Sequence, residues 1–248
     1  MCSPEGGVSL SVLSRTCTFF GKATVNGGLS LVSQWSQRFC KEAGVCRLPL
    51  TMGDRWCWSR MLSWLSQAVR VGAQCELKTI EAGVAAARGK QGGIEGAGGA
   101  LVEDCVLVLV EPGVYEEESV VVDDGQFVSI WRCDRESESN KKEMQKVEWR
   151  SRNGNTLLAH GSAAAVRVND MHMSAVMSEG YDGDAFGCVV AIGGATLSLE
   201  RCDLTCEGDE AVAQLGQNET TVVMFGCCIH DGKRNRGAHC CWSQCHPR

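Results

Sequence analysis

The sequence has no run of apolar residues long enough to cross a membrane, and it has no excess of positive charge. A membrane-spanning helix needs about 20 consecutive apolar residues, so we expect no contact with a membrane interior. Lys and Arg number 24 against 30 Asp and Glu, which gives a formal net charge of −6. A general nucleic-acid binder neutralises phosphates with basic side chains, so this balance argues against nucleic acid as a partner.

The first 20 residues also lack the basic stretch and the unbroken apolar stretch of a secretory signal. This absence bears on the 16 cysteines, an unusually high number. In a secreted chain they would suggest a disulfide framework, whereas the cytosol and nucleus keep thiols reduced. We therefore expect a cytoplasmic or nuclear protein whose reduced cysteines mostly fill the core as small apolar side chains.

Two common catalytic motifs are missing as well. No Gly-x-Ser-x-Gly sequence is present, so nothing supports the nucleophile turn of a serine hydrolase. The glycine-rich stretch QGGIEGAGGA, residues 91–100, contains no Gly-Lys-Ser/Thr and follows no predicted strand, which excludes a phosphate-binding loop of the usual kind. It is predicted to be a flexible connector, and no cofactor is expected.

The chain does contain a long series of short apolar strands after residue 103. The segment DCVLVLVEPGVYEEESVVV, residues 104–122, predicts a strand at 105–110, a Pro-Gly turn and a second strand. Further strands are predicted within residues 127–131, 147–151, 156–161, 164–174, 188–205 and 211–231. Their short length and regular interruption by turn residues predict an all-β fold.

One helix is predicted just before these strands. Leu77, Ile80, Val84 and Ala87 are spaced so that they share one face of a helix of about three turns. Lys78 or Thr79 is expected to begin it, and Gly89 suits its end.

The last three strand segments resemble one another, which predicts a repeating structure. Cys202 and Cys227 occupy equivalent places 25 residues apart, and Met171 precedes Cys202 by 31 residues. Repeats of this length with several short strands are typical of a β-solenoid, in which each coil stacks on the previous one about 4.8 Å away. In such a solenoid Cys202 and Cys227 would lie stacked in the interior.

The stretches KTIEAGVAAARGKQGG and DCVLVLVEPGVYEEESVVVDDGQFVSI resemble the opening of a right-handed parallel β-helix of the pectin-lyase-like superfamily. The later SLERCDLT and VVMFGCCIHDG are similar to the coil pattern of that superfamily. The resemblance implies a right-handed parallel β-helix over residues 76–237 with an N-terminal capping helix. Residues 1–75 would then form a helical or irregular N-terminal region, and residues 238–248 a disordered tail.

Within the superfamily the chain looks most like the β-helix of F-box-only substrate adaptors and of Shc-binding-type proteins. LSLVSQWSQRFCKEAG, residues 29–44, resembles the second half of an F-box, with Val32, Trp35 and Phe39 in the places that contact the adaptor. The first half is missing from residues 1–28. The resemblance implies a non-catalytic interaction module, the substrate-recognition part of an F-box-type ubiquitin ligase adaptor, with a Skp-type adaptor and a cullin as partners. The alternative is a helical cap in which these three side chains face the core.

A carbohydrate-active or carbohydrate-binding protein is the other function considered. Enzymes of the superfamily use carboxylates on adjacent coils, but Asp182 and Asp184 have only Glu207 one repeat later, and Asp123-Asp124 has no matching pair. All are expected to be solvated turn residues, as is His160. Tyr181, Asp182 and Asp184, in the loop of residues 175–187, are instead predicted to present a binding surface to another protein.

The C-terminal stretch CCIHDGKRNRGAHCCWSQCHPR is rich in Cys and His, but adjacent Cys-Cys and Cys-x3-Cys are not the usual zinc-ligand spacings. No metal is therefore expected. No amphipathic cap follows the last predicted coil, which a solenoid needs to cover its end. We expect a shortened or misjoined version of a longer β-helix protein, with a poorly ordered tail and a tendency to associate.

Overall fold

The computed structural model describes residues 31–48, 58–90, 106–133, 146–152, 154–176, 187–206, 212–215, 220–231 and 240–241. The chain divides into two compact units. The first comprises residues 1–68 and 133–143, and the second comprises residues 69–132 and 144–248. No helix among the described residues is both long and apolar enough to span a membrane.

The first unit contains two packed helices, α1 (Leu31–Glu42) and α2 (Trp58–Leu65). Buried side chains recur along α1 at every fourth residue and along α2 at every third, so each helix has one face that avoids solvent: Val32, Ser36 and Cys40 on α1, and Trp58, Met61 and Trp64 on α2. The Cys40 thiol lies 3.7 Å from the Trp58 carbonyl oxygen. Burial raises the pKa of Cys40 to about 12, so this thiol stays protonated.

The second unit contains the helix α3 (Ile80–Lys90) and, among the described residues, sixteen strands. The strands are β1 (Val69–Val71), β2 (Val106–Val110), β3 (Gly113–Glu117), β4 (Val120–Val122), β5 (Phe127–Arg132), β6 (Val147–Ser151), β7 (Leu157–His160), β8 (Ala165–Asn169), β9 (His172–Ala175), β10 (Val189–Ile192), β11 (Thr196–Glu200), β12 (Asp203–Cys206), β13 (Val212–Leu215), β14 (Thr221–Phe225), β15 (Cys228–Asp231) and β16 (Cys240–Cys241). The structure is therefore mostly β, as predicted.

These strands form three sheets that the chain visits in rotation. Sheet A has the order β1-β2-β5-β8-β11-β14, sheet B has the order β16-β15-β12-β9-β6-β3, and sheet C has the order β13-β10-β7-β4. From β2 to β15 each strand goes to the next sheet in the sequence A, B, C, and every pairing is parallel except that of β15 with β16. This rotation is compatible with a β-helix or solenoid.

The predicted repeat lengths are confirmed by the strand register in sheet B. Asp203 aligns with Cys228, 25 residues later, and with His172, 31 residues earlier. Cys202 and Cys227, one residue before these positions, are both buried, and the Cys202 N–H lies 3.4 Å from the Cys227 sulfur. The stacked interior cysteines predicted from the repeat are therefore present.

A single apolar core fills the space between the three sheets and α3. It contains alternate residues of successive strands, such as Val108, Ile130, Val168 and Leu199 along sheet A. Of the cysteines that the structure describes, Cys188, Cys202, Cys206 and Cys227 belong to this core as free thiols, and Cys40 and Cys133 are free thiols buried outside it. Burial raises the pKa of Cys188 to about 12. These thiols serve as small core side chains, as predicted.

Two local details differ from the sequence prediction. The strand β1, which pairs with β2 in sheet A, was not predicted, because three residues are too few to show a period. The helix α3 begins at Ile80, so Leu77 precedes it, and it runs past Gly89. Thr79 is its N-cap, since the Thr79 hydroxyl accepts the Ala82 N–H at 3.1 Å.

A buried carboxylate from β3 completes the N-terminus of α3. The two carboxylate oxygens of Glu117 accept the N–H groups of Ile80 and Glu81 at 2.6 and 2.8 Å. First-turn N–H groups have no partner within a helix, and a carboxylate there also interacts favourably with the helix dipole. Burial nevertheless raises the pKa of Glu117 above its usual value, and the two amides offset part of that rise.

Candidate functional site

Helix α1 carries the three residues predicted to bind an adaptor, and their side chains differ in solvent exposure. Val32 is buried, Phe39 is partly buried, and Trp35 is 49% exposed. The rings of Trp35 and Phe39 have centroids 6.1 Å apart, and the Arg38 guanidinium lies 6.0 Å from the Trp35 ring. The alternative in which all three side chains face the core is therefore wrong for Trp35.

Arg38 is held in this position by a second contact. Its Nε donates to Glu42, one helical turn later, at 2.9 Å. The result is a surface of α1 formed by Trp35, Arg38, Phe39 and Glu42, in which an aromatic pair lies beside a paired cation. Both members of the ion pair are well exposed, so the pair orients the guanidinium more than it stabilises the helix.

The second predicted surface cannot be placed in the same way. Tyr181, Asp182 and Asp184 lie outside the described residues. On its N-terminal side the loop of residues 175–187 begins at the end of β9, and Val176 there is 40% exposed. The binding role of this loop remains a prediction.

A polar cluster that the sequence analysis missed lies at the corner between sheets A and B. The chain turns this corner at Asp170, Arg201 and Gly226, on three successive coils. All three residues have positive φ angles, of 58°, 53° and 61°. Only Gly adopts this left-handed conformation without strain, so the corner dictates the backbone conformation and other residues tolerate it.

Arg201 binds two carboxylates at this corner. Its Nε and Nη2 donate to the two oxygens of Asp170 at 2.8 and 2.7 Å, and its Nη1 pairs with Glu200. Glu200 is fully buried, whereas Asp170 and Arg201 keep about a fifth of their side-chain surface. Asp170 raises the pKa of Arg201 further above its usual value, so the cation is permanent.

This cluster supplies the carboxylates on adjacent coils that the sequence analysis sought around Asp182 and did not find. The sequence contains a signal for this cluster, because Asp170 and Arg201 are 31 residues apart, which is also the spacing between Met171 and Cys202. Their chemistry is that of a structural tie, however. Both oxygens of Asp170 are occupied by the guanidinium of Arg201, and burial keeps Glu200 away from any substrate.

A second polar cluster lies on the outward side of sheet B. His172 Nδ1 is 3.0 Å from one oxygen of Asp203, and His230 Nε2 is 2.8 Å from the other. These three side chains come from β9, β12 and β15 and are each partly exposed. Among the described residues no group of three or more His, Cys, Asp or Glu side chains has the arrangement of a metal site.

The remaining candidates have local structural roles. Asp124 accepts the Ala163 N–H at 2.7 Å across neighbouring turns. Asp123 lies 4.0 Å from the exposed ring of His160 at the end of β7. These contacts are those of turn residues, as predicted.

Most of the C-terminal Cys- and His-rich stretch lies outside the described residues. Its Cys240 and Cys241 form the short strand β16, which pairs antiparallel with Ile229 and Cys228.

Comparison with family models, with curated proteins and with solved structures found no match to this chain.

Proposed function

We propose that the second unit is a right-handed parallel β-helix of the pectin-lyase-like type. The support is the rotation of consecutive strands through sheets A, B and C, with parallel pairing between coils. Connections between parallel strands of one sheet are right-handed in nearly all proteins, because strand twist favours that hand. The capping position of α3, whose Val84 belongs to the core, fits the same architecture.

We propose further that the chain is a non-catalytic interaction module in which α1 binds a Skp-type adaptor and the β unit binds a target protein. The observation that carries this proposal is the half-exposed Trp35 beside Phe39 on the α1 surface. Trp and Arg are the residue types most enriched at the energetic centres of protein interfaces. A large aromatic side chain is costly to leave in water, so its exposure favours a partner that covers it.

The state of the carboxylates also supports a non-catalytic role. Acid–base catalysis requires a group that exchanges protons within reach of substrate. Among the described residues, the carboxylates of Asp170 and Glu200 lie together on adjacent coils, and both are tied to Arg201. The carbohydrate-active alternative therefore depends on groups other than these.

A binding measurement with purified proteins tests the adaptor proposal. The parent chain, Trp35→Ala, Trp35→Phe and the neighbouring Gln34→Ala would be titrated against a purified Skp-type adaptor bound to its cullin. Loss of an interface hot spot costs about 2 kcal/mol or more, so we expect Trp35→Ala to weaken binding by about 30-fold. Trp35→Phe should lose less, and Gln34→Ala should bind like the parent.

Two results would reject the proposal. One is the absence of binding by the parent chain, after which acidic polysaccharides become the next ligands to test. The other is equal binding by Trp35→Ala and the parent, which would locate the contact elsewhere. Far-UV circular dichroism of each variant checks that the exposed substitution leaves the helix intact.

A further inference from the structure

Strand β14 has one paired edge and one open edge among the described residues. On the paired edge, the Thr221 N–H and the Phe225 carbonyl form hydrogen bonds of 2.9 and 2.8 Å with residues flanking β11. Backbone groups of successive residues point to opposite edges of a strand. The N–H and C=O groups of Val222 and Met224 therefore point to the open edge.

The core side of β14 is incompletely covered. Val222 and Met224 pack against the core but are only partly buried. Leu197 and Leu199, which align with them on β11, are fully buried. The difference arises because β11 has a strand on both sides, whereas the part of the chain that the structure describes supplies β14 with a strand on one side.

The outward-facing side chains of β14 are also more exposed than those of β11. Val223 and Phe225 are 38% and 43% exposed, whereas Ser198 and Glu200, aligned with them on β11, are 9% and 0% exposed. Exposed strand edges in proteins usually carry charged residues or proline that prevent further pairing. The strand TVVMF has neither, so nothing in its sequence blocks the addition of another strand.

We propose that the open edge of β14 binds an extended segment of a partner protein, which adds to sheet A with apolar side chains at alternate positions. This inference rests on the proposed function as an interaction module and specifies the kind of target. Size favours a short segment over a second folded copy. A stable interface between folded proteins buries about 1,200 Å² or more, whereas this edge consists of one strand of five residues.

The peptide ATLSLER, a copy of residues 195–201, is a suitable probe. Within the protein its two leucines already align with Val222 and Met224 across the paired edge. The control peptide ATLLSER has the same composition but places one leucine on each side of the strand. With labelled peptides and fluorescence polarisation, we expect saturable binding of ATLSLER and at least tenfold weaker binding of ATLLSER.

The variant Val222→Pro removes one edge-facing N–H while leaving the bonds to β11, and Val222→Ala is its matched control. Edge positions of this kind tolerate proline. We expect Val222→Pro to bind ATLSLER about tenfold more weakly than Val222→Ala, since at least one backbone hydrogen bond is lost. Equal affinity of the two variants would overturn the proposal, as would the absence of saturable binding by the parent chain.

Two further measurements keep the test decisive. If Val222→Pro unfolds, two N-methylated forms of ATLSLER replace it. One form is methylated at the odd-numbered positions of the peptide and the other at the even-numbered positions, so only one form loses the N–H groups that face β14. Equal binding of the two forms to the parent would overturn the proposal. Self-association of the parent in sedimentation that Val222→Pro abolishes would assign the edge to a second copy instead. The peptide assay contains no adaptor, so its failure and the failure of the Trp35 test are distinguishable.

Discussion

Arg201 provides the sharpest test of how the coil corners are stabilised. Arg201→Met keeps a long side chain and the same backbone conformation, but it removes the cation from between Asp170 and Glu200. Glu200 is fully buried, so its charge would no longer be offset by the guanidinium in a region closed to water. Removing one partner of a buried ion pair costs about 3–5 kcal/mol.

We expect a loss near 3 kcal/mol, because Asp170 retains some exposed surface and recovers part of its solvation. Adding Glu200→Gln to Arg201→Met should restore about 1–2 kcal/mol, since the buried charge is then removed. Arg150→Met is the matched control. Arg150 pairs with Glu148 and Glu116 on an exposed surface, and loss of such pairs changes stability by about 0.5 kcal/mol or less.

Urea unfolding followed by far-UV circular dichroism measures these differences, with the slope of each transition compared before free energies are assigned. The double variant compared with its two single variants isolates the coupling between the side chains. A double variant as unstable as Arg201→Met would show that the buried charge of Glu200 is not what the arginine offsets. Equal losses for Arg201→Met and Arg150→Met would refute the reasoning altogether.

Two further predictions concern turn glycines and the N-terminus of α3. Gly226→Ala should lower the free energy of unfolding by about 1 kcal/mol through its positive φ alone, because the added Cβ meets nothing nearer than 3.7 Å. Gly161→Ala should lower it by more, because its Cβ would lie 2.6 Å from the Cβ of Asp124. Urea unfolding that ranks the two variants in the opposite order would contradict this prediction. For Glu117, the raised pKa means that the folded state favours the protonated acid, so its contribution to stability is complete below the usual pKa of 4.5 and is lost as pH rises through the folded-state value. The stability of the parent relative to Glu117→Gln should therefore fall as pH is raised from about 4 to 7, and a relative stability that rises over this interval would contradict the assignment.

Much of the β architecture could be predicted from local patterns. Alternating apolar residues predicted most of the strands, and the 25- and 31-residue spacings predicted which strands align. Periodicity works here because each coil repeats the same inward and outward positions. It fails for β1, which is too short to show a period, and for Leu77, which precedes α3 although its spacing assigned it to the helix face. The predicted start at Thr79 is confirmed, because Thr79 is the N-cap.

The site was less predictable for a physical reason. Trp35 fits the α1 pattern equally well as a core residue or as an exposed one, and only its surroundings in the fold decide that it is exposed. Asp170 and Glu200 are both acidic and both near a turn, yet one is partly solvated and the other is fully buried. Sequence spacing locates such residues on a coil, but it carries no information about which neighbouring groups cover them.

By itself the sequence determined that this chain forms stacked short strands, that Cys202 and Cys227 fill the interior, and that α3 precedes the first long strand. These properties follow from local propensity and from a repeat whose members lie close in sequence. The tertiary structure decided that Arg201 ties two carboxylates, that Glu117 caps α3 from 36 residues away, and that no described strand lies beyond β14 in sheet A. Each of these depends on groups brought together from different coils, because burial and hydrogen bonding are set by neighbours in space.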